Sequence, residues 1–197
     1  MIAILDYGSG NLRSAQRAFE TSGHKVAITS DYEVALNAEG LVVPGVGAFA
    51  ACMKGLREVR GDQLVRERIA LARPTLGICV GMQILFANGV EHGKHQGVGI
   101  WPETVELIGA PILPHMGWNT IKASAASKLF AGIGDQSFYF VHSYAVKSSA
   151  APVVSTSHHG EDFVSAIEDG AISATQFHPE KSGGAGLQLI KNWTEQL

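Results

Sequence analysis

The stretch Leu76-Gly77-Ile78-Cys79-Val80-Gly81-Met82-Gln83 sets a cysteine between two glycines at the end of an apolar run. Gly-x-Cys-x-Gly is the thiol counterpart of the Gly-x-Ser-x-Gly elbow, a sharp strand-to-helix turn that lifts one side chain clear of the backbone. Small flanking residues let neighbouring backbone approach closely. The pattern asks for a strand before Cys79 and a helix after it. Such a helix would place its positive N-terminal end under the sulfur and favour the thiolate. Taken alone, the stretch fits a buried structural cysteine equally well, the common place for a lone Cys.

The flanking pattern supplies the strand and the helix. Apolar runs at residues 2–5, 25–28, 40–43 and 74–78 read as strands, and helical spacing covers 12–21, 49–59, 64–71 and 81–87. Strands alternating with helices predict an α/β fold with a mostly parallel central sheet flanked by helices. The second half changes texture. Short β-like runs at 104–107, 118–122, 137–141, 153–157, 163–168 and 172–174 are separated by turns, so short antiparallel strands are expected there, before a closing helix over 187–193. No repeat or linker divides the chain, and residues 1–197 are expected to form one domain. Ligands on open α/β sheets bind beyond the carboxyl ends of the strands, where Cys79 stands.

A nucleophilic cysteine needs a base and an orienting group. Gln176-Phe177-His178-Pro179-Glu180 offers both. His178 and Glu180, two apart, fall on the same side of an extended segment, and Pro179 holds that segment extended. A carboxylate beside an imidazole fixes its tautomer and stabilises the imidazolium. The third element is Leu41-Val42-Val43-Pro44-Gly45-Val46-Gly47-Ala48-Phe49. Its glycines allow backbone amides, those of Val46 and Gly47, to point into a cleft. With the amide of Val80 they would form an oxyanion hole, in which each donor is worth about 10²–10³ in rate. On its own this segment reads as an ordinary glycine-rich strand-to-helix loop.

Composition excludes several classes. Hydrophobic residues make up 46% and charged residues 17%, in keeping with a compact domain rather than a disordered chain. A net charge of −3 leaves no footprint for nucleic acid. Two cysteines, Cys52 and Cys79, make no disulfide framework, and Cys52 reads as a small core residue. The opening residues lack a signal-peptide pattern, and the uncharged run 74–90 is broken by glycines and amides, so a cytoplasmic chain is expected. His92, His95, His158 and His159 lie in polar turn-like stretches without ligand spacing; no metal or cofactor is expected.

The three motifs, in this order, resemble the class I (triad-type) glutamine amidotransferases. Four further stretches are similar to one branch, the glutaminase subunits of imidazole glycerol phosphate synthase from histidine biosynthesis. These are Asp6-Tyr7-Gly8-Ser9-Gly10-Asn11-Leu12-Arg13-Ser14, Pro114-His115-Met116-Gly117-Trp118-Asn119, Phe138-Tyr139-Phe140-Val141-His142-Ser143-Tyr144 and His178-Pro179-Glu180-Lys181-Ser182. The resemblance runs from about residue 2 to the last helix. It implies hydrolysis of L-glutamine through a Cys79 thioester, with His178 as acid and base and Glu180 orienting it. It also implies that Gly47, Gln83 and the segment His142-Ser143-Tyr144 bind the substrate, although Gln83 could equally be a surface residue one turn past the elbow. His115 and His142 are expected to pack and hydrogen-bond near the site.

The resemblance further implies a partner, a (β/α)₈-barrel cyclase that receives the ammonia, and a heterodimer interface at Asn11, Trp118, Tyr139 and Lys181. Trp118 reads equally as a core tryptophan, and Lys181 could be a solvated charge. It implies, too, an oxyanion strand (residues 44–47) that rests with the wrong group facing the site and flips on activation. Two positions depart from the pattern: Ser143 stands where many relatives would carry Thr, and Gly183-Gly184 loosens the junction after Lys181-Ser182. Three rivals remain: another triad glutaminase, such as that feeding pyridoxal phosphate synthase; a non-catalytic docking subunit with a vestigial cysteine; and a cysteine protease or other hydrolase on the same fold.

Overall fold

The computed structural model describes residues 1–197. Its strands are β1 (Ile2–Leu5), β2 (Val26–Thr29), β3 (Gly40–Gly45), β4 (Thr75–Cys79), β5 (Phe86–Gly89), β6 (His95–Gln96), β7 (Trp101–Leu107), β8 (His115–Thr120), β9 (Ser137–His142), β10 (Tyr144–Ala145), β11 (Val153–His159), β12 (Glu161–Asp169) and β13 (Ile172–Thr175). Helices are α1 (Leu12–Glu20), α2 (Tyr32–Asn37), α3 (Phe49–Glu58), α4 (Gly61–Ala70), α5 (Val80–Gln83) and α6 (Gly183–Thr194), with a 3-10 turn (Pro179–Lys181) ahead of α6.

Seven strands form the central sheet in the order β11-β12-β13-β4-β3-β1-β2. From β13 to β2 every pair is parallel; β12 and β11 extend the sheet antiparallel. Every residue of β1, β3 and β4 is buried, as expected of strands covered on both faces and built from continuous apolar runs. The parallel pairing sets Gly45 opposite Cys79, so the two loops expected to carry chemistry leave the sheet side by side. A four-stranded sheet, β10-β7-β5-β6, and a two-stranded ribbon, β8-β9, make up the rest of the β structure.

The helix starts show how local chemistry fixes the connections. Asn11 caps α1 by accepting from the Ser14 amide, and Asp31 caps α2 by accepting from the Val34 amide at 2.8 Å. Helix α3 begins after Ala48, which has no capping side chain; Glu91 reaches in from the β5–β6 connection and accepts from the Phe49 amide at 2.8 Å. Arg68 on α4 is wholly buried. Its guanidinium donates to the carbonyls of Ala35, Leu36, Ala38 and Pro74 at 2.7–2.9 Å, tying the end of α2 to the entries of β3 and β4. Burial lowers its pKa to about 10 without discharging it at neutral pH.

Two sequence expectations are corrected. The helix expected over 81–87 is the four-residue α5, after which the chain turns into β5 and pairs Phe86 with Trp101. An unbroken apolar run cannot by itself distinguish buried helix from buried strand. Helix α2 was not anticipated, because six residues give too little periodicity. The six short strands expected in the second half are present, with β7 and β8 each starting three residues earlier, at Trp101 and His115; the two-residue β6 and β10 were not anticipated.

Candidate active site

Cys79 closes β4 and caps α5 with φ 55° and ψ −114°, a positive φ that a side chain adopts only under strain, of order 1–3 kcal/mol. The glycines explain how the turn fits. A Cβ on Gly81 would stand 1.9 Å from the Val43 carbonyl oxygen, and one on Gly45 would stand 2.4 Å from the Gly81 nitrogen. The elbow and the end of β3 therefore meet backbone to backbone. Cys79 is buried, yet it lines a cavity of about 250 Å³ together with Val46, Gly47, Val80, Gln83, His178 and the segment Val141-His142-Ser143-Tyr144.

His178 reaches this cavity from the strand next to β4, just beyond the carboxyl end of β13. Its Nδ1 lies 2.7 Å from Glu180 Oε1, and both side chains are almost fully buried, at 2% and 4% exposure. The contact is made across the first 3-10 turn rather than along an extended segment. Pro179 suits a helical start, which folds Glu180 back toward its neighbour. Ser182 fixes the turn, donating to the His178 carbonyl at 2.6 Å and accepting from the Tyr139 amide at 2.9 Å. Burial alone would push the imidazole pKa down, but the Cys79 sulfur and the Glu180 carboxylate outweigh it and hold it up at about 9. His178 Nε2 is buried and makes no hydrogen bond to another side chain or carbonyl.

The glycine-rich segment after β3 lies over the elbow, buttressed from behind by the loop after β1. Tyr7 donates its hydroxyl hydrogen to the Pro44 carbonyl, and Ser9 Oγ lies 2.8 Å from the Val46 carbonyl oxygen. The Val46 amide donates to the same Ser9 Oγ at 3.0 Å and is thereby occupied. Cys52 Sγ stands 3.1 Å from Ser9 Oγ, in the core position expected of it. The Asp6-to-Ser14 motif, which the sequence offered only as a resemblance, thus has a structural purpose: it grips the segment Pro44-Gly45-Val46-Gly47.

Gly47, Gln83, His142, Ser143 and Tyr144, expected from the resemblance to bind substrate, all line this one cavity. Gln83, buried rather than on the surface, donates from Nε2 to the Tyr144 carbonyl at 2.8 Å and to Gln176 Oε1 at 3.0 Å. His142 Nδ1 lies 3.0 Å from the same carbonyl, its Nε2 lies 2.9 Å from His115 Nδ1, and Asn119 Nδ2 lies 3.1 Å from His115 Nε2. Burial, foremost, lowers His115 to about 4 and His142 to about 3, so both rings are neutral near pH 7. Two polar residues near the sulfur went unassigned at the sequence level. Glu91 lines the cavity, and Gln176 lies within 3.8 Å of Cys79 Sγ. The only sequence signal for Gln176 was its place two residues before His178.

Trp118 and Tyr139 are directly paired across the β8–β9 ribbon, their rings 6.2 Å apart edge to face, and Trp118 is 60% exposed, which rules out a core position. Gly183 takes a φ of +57° beside Trp118, so the first residue of the loose Gly183-Gly184 junction serves the turn into α6. Asn11 is exposed at the start of α1, which packs on the turn carrying Lys181, and Lys181 itself lines the cavity wall. No helix is long and apolar enough to cross a membrane.

Comparison with known proteins agrees with this geometry. The chain matches the family described as Glutamine amidotransferase class-I over residues 3–197. The imidazole glycerol phosphate synthase subunit HisH of Streptomyces avermitilis is 57% identical, across 100% of this chain and 96% of that protein. The same subunit from Nocardia farcinica is 56% identical across 100% and 98%, and that of Corynebacterium diphtheriae 56% across 100% and 99%. Among solved structures, a glutamine amidotransferase superposes with a TM-score of 0.77 at 19% identity, over 98% of this chain and 97% of the other. The glutaminase domain of Trypanosoma brucei CTPS with bound acivicin gives 0.63 at 15%, over 98% and 93%; both likenesses speak to the fold. With the family matched over nearly every residue and such relatives aligned end to end, the chain belongs to the class-I glutamine amidotransferases, within the family of HisH subunits of imidazole glycerol phosphate synthase.

Proposed function

We propose that this chain, as one domain over residues 1–197, is the cytoplasmic glutaminase subunit of imidazole glycerol phosphate synthase, with Cys79, His178 and Glu180 as its triad. The observation that carries the proposal is one cavity shared by a cysteine at a strained elbow and a buried histidine held at 2.7 Å by a carboxylate. Cys79 attacks the side-chain amide carbon of glutamine. The carbonyl oxygen becomes the oxyanion, His178 protonates the departing ammonia, and the γ-glutamyl thioester remains. His178 then takes a proton from water, which cleaves the thioester to glutamate. A base with its pKa near 9 is mostly protonated at neutral pH, which suits a thiolate–imidazolium pair ready to attack.

The cavity wall supports the rest of the assignment. Glu91 offers a carboxylate to the substrate's ammonium group, and Gln83 with the His142–Tyr144 backbone faces the amino-acid end. Of the oxyanion donors, the amide of Val80 follows the nucleophile directly and Gly47 lines the cavity, while the Val46 amide is held by Ser9. A strand resting in this way, released when the partner's site fills, accounts for a glutaminase that is slow until needed. Trp118, Tyr139, Asn11 and Lys181 are the proposed contacts with a (β/α)₈-barrel cyclase that takes the ammonia to make imidazole glycerol phosphate and AICAR. Free ammonia is protonated in water, so a closed junction serves the chemistry.

The test is glutamate release from glutamine by this chain alone, with its barrel partner, and with partner plus the partner's ligand. A steep rise only in the last condition supports the full reading. Equal rates throughout would remove the partner and gating assignments and leave the cysteine chemistry. No release in any condition would favour a non-catalytic docking subunit.

A further inference from the structure

Gln176 is a buried polar side chain beside the sulfur with no part in the triad. The residue is 1% exposed, and its backbone N–H donates to the Ser165 carbonyl at 2.8 Å, which fixes it just past the end of β13. The orientation of its side chain follows from its neighbours. The Tyr144 carbonyl can only accept, so the Gln83 atom 2.8 Å from it must be the NH₂ nitrogen. That nitrogen also lies 3.0 Å from one end of the Gln176 amide, which must therefore be the oxygen. The Gln176 NH₂ is left facing Cys79 Sγ at 3.8 Å, a long but admissible N–H···S distance. The reverse orientation would oppose two NH₂ groups and put an oxygen against the sulfur. The other polar contact of Cys79 Sγ is the Val141 carbonyl at 4.0 Å, an acceptor that favours the thiol.

We propose that Gln176 stabilises the Cys79 thiolate by donating to the sulfur, and that Gln83 and the Tyr144 carbonyl lock its amide in the donating orientation. The proposal rests on the reading of Cys79 as nucleophile. Of the hydrogen-bonded groups around the sulfur, Gln176 is the donor that stays in place whatever the protonation of His178. The ionisable groups near the sulfur are His178 with Glu180 behind it, His142 on β9, Tyr7 and Cys52 behind β3, and Glu91 and Lys181 on the cavity wall. All of them persist when Gln176 is replaced, so a change in thiol behaviour reports on the amide.

The experiment is the pH dependence of iodoacetamide labelling of the full-length chain, followed on the peptide containing Cys79 so that Cys52 is counted separately. Gln176→Leu raises the labelling midpoint by about one pH unit, and labelling well below the midpoint slows about tenfold. The kcat/KM for glutamine falls by a similar factor at low pH and recovers as pH rises, whereas a merely structural defect would lower it at every pH. Gln83→Leu, which removes the lock and leaves Gln176 in place, shifts the midpoint in the same direction by less; it carries the test if Gln176→Leu does not fold. Unmoved midpoints in the folded variants would overturn the proposal. Cys79→Ser separates this from the parent reading: glutamate release that survives it defeats the nucleophile itself. Release lost in Cys79→Ser, with the midpoint unmoved in Gln176→Leu, defeats only the role of Gln176.

Discussion

Replacing Glu180 with glutamine keeps an oxygen for His178 Nδ1 to donate to and removes one charge from a place where water screens little. Two unit charges about 4 Å apart attract by roughly 4 kcal/mol at an effective dielectric of 20, and such pairs shift a pKa by about 1–3 units. Cys79 also holds His178 up, so Glu180 accounts for part of the rise from the usual 6.5 to about 9. The expected fall in Glu180→Gln is about 1–2 units, read directly by NMR titration of the imidazole. Linkage gives a second readout. A pKa raised by folding adds stability that is full below about pH 6.5 and disappears as pH rises through about 9. The gap in unfolding free energy between wild type and Glu180→Gln should therefore be about 1–3 kcal/mol larger at pH 6 than at pH 10. The buried Glu180 Oε2 already lacks a partner, so the amide that replaces it adds only a pH-independent offset. An unmoved His178 midpoint, or a gap of equal size at both pH values, would refute the account of how this histidine is charged.

Ser9→Ala removes the acceptor that occupies the Val46 amide, so glutamate release by the chain alone should rise several-fold; an unchanged basal rate would show that Ser9 is not what restrains the strand. Arg68→Met strips four buried carbonyls of their donor and should cost about 3–5 kcal/mol, a loss of about 10 °C in Tm by thermal unfolding, without changing the pH profile of activity. Trp118→Ala, at a site 60% exposed, should leave the Tm of the lone chain within about 2 °C and weaken binding of the barrel partner by about 2 kcal/mol in calorimetry; a destabilised monomer with unaltered binding would reverse that assignment.

The fold was most legible where chemistry is local. The first-half strands are apolar along their length because helices cover both faces, and that signature survives in sequence. The elbow was readable because Gly77, Gly81 and Gly45 are required by backbone contacts of about 2–3 Å. Pairing over long distances was not readable. Nothing in residues 161–169 says that β12 joins the main sheet while β8 and β9 stand apart as a ribbon. Phe86 and Ala87 satisfy a helical pattern as well as a strand, and the pairing of Phe86 with Trp101 decides between them. In the site, residues next to a motif's reactive atom were found. Those contributed from elsewhere, Glu91 through its cap on α3 and Ser9 through its grip on Val46, were missed, because their meaning lies in what the fold carries them to.

The backbone contact between Gly45 and Gly81 has a consequence for design. The spacing between the Cys79 elbow and the end of β3 is set by two missing Cβ atoms, so no choice of side chain can tune it. An engineer seeking a different amide substrate would find the junction of β3 and the elbow fixed by construction. The freedom lies at the rim, in Glu91, Ser143 and Lys181, which line the cavity outside that backbone contact.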